Sequence, residues 1–116
     1  MTPEGKIKDK VKKLLKDYDV YFFMPNTHGY GSSGVPDIVG LYKGQFIGIE
    51  CKAFNKQATD LQMHNLTQIQ KNGGIAILMD GSGLGVLKMI LDSLSIHGSG
   101  KPGAFYHLIG DKVVEE

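Results

Sequence analysis

Gly34-Val35-Pro36-Asp37-Ile38-Val39-Gly40-Leu41-Tyr42-Lys43-Gly44-Gln45-Phe46-Ile47-Gly48-Ile49-Glu50-Cys51-Lys52 is the stretch that decides how this chain folds. Apolar runs flank Lys43-Gly44, a dipeptide suited to a tight turn, so residues 37–42 and 45–52 read as two antiparallel strands. A two-residue turn pairs Tyr42 with Gln45, and that register carried along the hairpin sets Asp37 directly across from Glu50. A four-residue loop closed by Leu41 and Phe46 preserves the pairing. Directly opposed residues share a sheet face, with Cβ atoms roughly 4.5–5.5 Å apart. Alternation places Lys52 on that face as well and Cys51 on the other. A slip of one residue would send the two carboxylates to opposite faces.

Opposed carboxylates repel unless a shared proton, a cationic side chain or a metal ion neutralises them. Carboxylate oxygens are hard ligands and suit Mg²⁺ or Mn²⁺. A lysine beside such an ion could hold a water or a phosphate, which makes phosphodiester hydrolysis a reasonable chemistry for the set. On spacing alone, a plain salt bridge from Lys52 to either acid explains the same residues. Zinc does not fit, because there is one cysteine and His28, His64, His97 and His107 have no ligand spacing.

Outward from the hairpin, residues 2–18 read as an amphipathic helix with Ile7, Val11, Leu14, Leu15 and Tyr18 on one stripe. Thr2 suits its cap and Pro3 its first turn. Residues 20–24 look like a buried strand, and residues 26–34 a loop rich in glycine and small polar residues. A second helix covers residues 60–72, opened by the capping-box pair Thr59 and Gln62 and closed by Gly73. A short buried strand at residues 75–79, a third helix at 84–95 and a last strand at 104–109 follow, and the acidic tail is expected to fray. The order predicts one α/β domain over residues 1–116, a mixed sheet flanked by helices. Gln62 heads the apolar face of its helix, where a polar group needs a partner, although a capping role accounts for it equally. Glu4 lies on the inward stripe of the first helix, where a carboxylate is also favoured by the helix N-terminus.

Composition narrows the function less sharply. With 116 residues the chain can bury a core without disulfides. The single cysteine fits a reducing cytoplasm, and no signal-like or membrane-spanning run is visible, so a soluble intracellular protein is expected. Net charge is +1, and all 13 basic residues are lysines, so bidentate arginine readout of guanine is excluded. Lys6, Lys8, Lys10, Lys12, Lys13 and Lys16 crowd the first helix, as a solvated face or a phosphate-facing one. Lys6, Lys10 and Lys56 are the candidate phosphate contacts, and His28 and Tyr30 in the loop are candidate nucleotide contacts. Most aromatic residues sit in apolar strands and read as core. Gly81-Ser82-Gly83-Leu84-Gly85 has no lysine in P-loop spacing, which argues against a nucleotide-triphosphate site.

Gly34-Val35-Pro36-Asp37, then Gly48-Ile49-Glu50-Cys51-Lys52, then Gln62 on a helix ending in Gly73-Gly74, resembles the virus-type replication-repair nuclease (VRR-NUC) domain of the PD-(D/E)xK nuclease superfamily, in its stand-alone phage or bacterial form. The resemblance runs from about Thr2 to Met79. It implies a restriction-endonuclease-like fold and a Mg²⁺- or Mn²⁺-dependent deoxyribonuclease. Asp37, Glu50 and the Cys51 backbone carbonyl would ligate the ion. Lys52 would orient the attacking water, Gln62 would position Lys52 or that water, and Glu4 would reach in from the first helix. Compact members look like Holliday-junction resolvases, which implies a homodimer acting on branched DNA in the cytoplasm of a bacterial or phage-infected cell. The competing reading is a non-catalytic nucleic-acid-binding or assembly module of the same fold. The intact Asp37, Glu50 and Lys52 argue against it, since a lapsed site need not keep all three.

Neutralising Lys6, Lys10 and Lys13 together should lower the salt dependence of DNA binding, by roughly 1 in log–log slope for each phosphate that a lysine no longer neutralises. A slope unchanged in a salt titration of DNA affinity would return the cluster to the solvated face.

Overall fold

The computed structural model describes residues 1–25, 34–98, 100 and 102–116. Helix α1 spans Pro3–Asp17, with the Thr2 hydroxyl accepting from Gly5 N–H at 3.0 Å and Val11 and Leu15 buried beneath it. Strand β1 (Tyr21–Phe23) leads to the hairpin of β2 (Ile38–Tyr42) and β3 (Gln45–Cys51). Lys43 and Gly44 both take left-handed backbone angles, φ 51° and 80°, the conformation that matches a two-residue turn to strand twist. The ladder runs from Tyr42↔Gln45 to Ile38↔Ile49, the register expected, and Asp37 stands one step beyond it.

Helix α2 (Asp60–Lys71) begins with the full Thr59–Gln62 capping box. At its end Gly73 N–H reaches Gln70 O and Gly74 N–H reaches Ile69 O, the two bonds of a Schellman cap. Strand β4 (Ile75–Met79) runs parallel to β3, buried along its whole length. A single 3-10 turn (Gly81–Gly83) leads into helix α3 (Leu84–His97), and β5 (Ala104–Leu108) lies parallel to β4. The sheet therefore carries its strands in chain order, β1 to β6.

Two layers of side chains hold the helices to this sheet. Val11 and Leu15 of α1 and Leu87, Leu91 and Leu94 of α3 pack with Ile38, Ile47, Ile49, Cys51, Ile77 and Met79. On the opposite face Leu66 of α2 packs with Ala76, Leu78 and Phe105. Fully burying a side chain such as Ile77 or Leu91 contributes about 1.5–3 kcal/mol. Both parallel crossovers step the same way across the sheet, yet α2 and α3 cover opposite faces. The two connections consequently have opposite hands, so one is of the uncommon left-handed kind.

The α/β class, a mixed sheet flanked by helices, is as expected. Three expectations are corrected. The tail does not fray: Val114–Glu115 forms β6, antiparallel to β5, and Glu116 N–H donates to Phe105 O at 2.8 Å. Residues 20–24 do not form a buried strand, because β1 ends the sheet and leaves Tyr21 72% and Phe23 53% exposed. The aromatic residues are core only in part: Tyr42 and Phe105 are buried and Tyr18, Phe22 and Tyr106 pack against the core, but others do not. Phe46 and Phe54 are exposed too, and Tyr21, Leu41 and Phe46 oppose one another across three strands as an uncovered apolar row. No helix among the described residues is long and apolar enough to cross a membrane.

Candidate active site

The hairpin, α1 and α2 bring the candidate residues together at one end of β3. Asp37 turns its Oδ2 to the Cys51 N–H at 2.9 Å, so the backbone that carries Glu50 and Lys52 is tied to the start of β2. Glu50 is buried, with Oε2 accepting from Gln62 Nε2 at 3.0 Å and lying 3.5 Å from Lys52 Nζ. Lys52 Nζ is also 4.0 Å from Glu4 Oε1, which reaches in from the first turn of α1. Asp37, Glu50, Lys52, Gln62 and Glu4 thus form one cluster.

Gln62 differs in detail from its expected role. It contacts Glu50, rather than Lys52. Its two proposed uses coexist: Oε1 accepts from Thr59 N–H at 2.9 Å as the capping box requires, and Nε2 holds the carboxylate. The amide is anchored at one end and donates at the other. Gly34 seats this helix start. Its φ is +89°, and a Cβ there would meet Leu61 Cγ at 2.8 Å and Gln62 N at 3.0 Å, so the segment entering Asp37 packs on α2 only with glycine.

Burial drives the electrostatics. Glu50 is pushed up to about 7, first by desolvation and then by Asp37, against the pull of Lys52. Cys51 faces the core as expected, and burial, then the charges of Asp37 and Glu50, push its thiol up to about 12. Among the described residues, Glu50 Oε1 is buried without a hydrogen-bond partner. An unpaired carboxylate oxygen in low dielectric is costly, and a cation beside it would remove that cost. The donor set therefore fits a hard divalent ion. No three His, Cys, Asp or Glu side chains among the described residues converge on one point, so two carboxylates would need backbone, water or substrate oxygens to complete a shell.

Of the candidate substrate contacts, Lys6 and Lys10 are exposed on α1 and Lys56 is exposed on the loop after β3. Lys6 shares a groove of about 540 Å³ with Phe54 and Ser82. His28 and Tyr30 lie outside the described residues. Two residues escaped sequence reasoning. Lys8 Nζ lies 3.3 Å from Asp37 Oδ1, and its spacing four after Glu4 and three before Val11 was the available signal. Asp80, buried, accepts from Ser82 N–H and Gly110 N–H, both at 2.9 Å, and ties the end of β4 to the chain leaving β5. Nothing in the Asp-Gly-Ser sequence distinguishes it from an ordinary turn.

No family model matches the chain, and no curated protein matches it. Among solved structures, one described as a VRR-NUC domain is similar with a TM-score of 0.61 and 21% identity, over 84% of this chain and 98% of that one. The chain has the VRR-NUC fold, as its ordered motifs implied.

Glu50 makes stability depend on pH. Between about 4.5 and 7 the folded protein keeps a proton that the unfolded chain releases, so the stabilising contribution of neutral Glu50 is lost as pH rises through that window. In EDTA, urea midpoints should fall from pH 4.5 towards pH 7. Glu50→Gln should lack that component and be the more stable protein at pH 8. Parallel curves for the two proteins would contradict the assignment.

Proposed function

We propose that this chain is a divalent-metal-dependent endonuclease that hydrolyses DNA phosphodiester bonds, acting as a homodimer on branched DNA such as Holliday junctions. The single observation that carries the reading is the buried, unpaired Glu50 Oε1 beside Asp37 and Lys52. Asp37, Glu50 and the Cys51 carbonyl are the groups that would hold Mg²⁺ or Mn²⁺. The ion would supply Lewis acidity and a nucleophilic water near neutral pH.

The chain's own residues do the rest. Gln62 fixes the Glu50 carboxylate, so that Oε2 is occupied and Oε1 is left for the ion. Lys52 is largely buried and lies between Glu50 and Glu4. Its ammonium orients the attacking water and offsets charge developing on the phosphorane. Exposed Lys6 and Lys10 follow the backbone on the same helix that delivers Glu4. Lysine point charges read phosphate rather than base edges, which suits selection by DNA shape. Two symmetric cuts need two active sites, which C2 symmetry supplies, and the Tyr21–Leu41–Phe46 row offers an apolar surface for the second copy.

Incubation with four-way-junction, flap and linear DNA in Mg²⁺, Mn²⁺ or EDTA tests the activity, and metal-independent inertness of the wild type would favour the binding module. Lys52→Ala should keep most of its junction affinity and lose on the order of 10²–10³ in single-turnover rate. Lys52→Gln should be almost as impaired, because charge rather than reach is at issue. Normal cutting by Lys52→Ala would reduce the residue to a salt bridge. Light scattering at micromolar concentration should give a dimer mass, and a monomer that still cleaves junctions would remove the symmetric model.

A further inference from the structure

Helix α1 presents two charges to the site, one turn apart. Glu4 approaches Lys52 and Lys8 approaches Asp37, so each exposed end of the cluster meets its opposite sign. The two lysines are held very differently. Lys52 has 11% of its side chain exposed and lies between two carboxylates. Lys8 has 36% exposed, a single ion-pair partner among the described residues, and a flexible four-carbon stem rooted on the helix surface. Partial burial lowers the pKa of Lys8, but its ion pair and hydrogen bond with Asp37, together with the charge of Glu4, outweigh that and raise it.

Where Lys8 binds matters more than how tightly. Asp37 Oδ2 is already engaged by Cys51 N–H, so Oδ1 is the oxygen left for any further cation, and Lys8 Nζ stands 3.3 Å from it. A divalent ion on Oδ1 would place two like charges side by side. This pair is half-buried, with one partner on a flexible stem open to solvent, and such a partly screened pair is weak enough to be surrendered. We propose that Lys8 is a tethered counter-ion: its ammonium holds Asp37 Oδ1 in the metal-free protein, yields it to the divalent cation, and then contacts a phosphate of the DNA. This rests on the nuclease reading and adds to it a residue outside the recognised motif. It gives the metal-free site a cation of its own, so Asp37 and Glu50 can stay close before the ion arrives. It also makes phosphate contact by Lys8 conditional on metal.

The test needs no cleavage. Calorimetric titration with Mn²⁺ should show Lys8→Gln binding about fivefold more tightly than wild type, the fold-change that about 1 kcal/mol of ion pairing withholds. Lys6→Gln, which removes the same charge from the same helix, supplies the general field effect and should change affinity much less. In a Lys52→Gln background, which suppresses cutting, duplex binding followed by fluorescence anisotropy gives the salt slope. Adding Lys8→Gln should reduce that slope by about 1 in Mn²⁺ and leave it unchanged in EDTA. Equal Mn²⁺ affinities for Lys8→Gln and Lys6→Gln, weaker Mn²⁺ binding by Lys8→Gln, or the same slope change with and without metal, would each overturn the counter-ion role while leaving the nuclease reading intact. Mn²⁺ binding that is absent in the wild type, or unaffected by Asp37→Asn, would instead overturn the metal site itself and this role with it.

Discussion

The register of one hairpin governs the rest of this molecule. Lys43 and Gly44 adopt left-handed angles that close the turn in two residues, and every pairing from Tyr42↔Gln45 onward follows from that closure. Because side chains alternate, the turn also decides what faces what. Cys51 and Ile49 enter the core under α1 and α3, while Glu50 is turned towards α2, where Gln62 meets it. A looser turn allowing a slip would turn Glu50 and Lys52 into the isoleucine core and Cys51 away from it.

Having set two acids at one place, the fold manages their charge by location. Glu50 takes the interior position and is driven towards its protonated form, while Asp37 stays near the rim with a backbone donor and a lysine. Two lysines answer the three carboxylates, one rigid and one movable. With Glu50 driven towards its neutral form, two lysines face two charged carboxylates, so a divalent ion entering this site would displace either a proton or an ammonium. Those two exits lie on different elements, Glu50 on β3 and Lys8 on α1.

Where the sequence was legible, local chemistry was decisive. The hairpin register, the capping box and the Schellman glycines each depend on a few adjacent residues, and all formed as read. Placement in the sheet was not legible. Val20 to Met24 has the composition of an interior strand, yet position at an edge exposes it, and no residue within the segment encodes that position. The tail strand is two residues long, too short for alternation to register, and is held by partners at Phe105 and Gln70 far away in the chain. In the cluster, register brought Asp37, Glu50 and Lys52 to one face, and the family resemblance supplied their roles. Lys8 was hidden among five similar lysines: its spacing from Glu4 and Val11 was a faint signal, and its approach to Asp37 is what separates it from them.

The two ends of the sheet differ in a way that bears on how copies of the molecule could join. β6 is short, and its neighbourhood carries Glu115, Glu116 and Lys112, charges that discourage another strand from docking. β1, at the other end, is aromatic and exposed. Strand addition is thus favoured at one edge and opposed at the other. A chain with two adhesive edges can stack indefinitely, whereas one with a single adhesive edge is satisfied once its counterpart is found. The charges around β6 therefore discourage edge-to-edge growth at that side of the sheet, while the aromatic β1 side has no such guard.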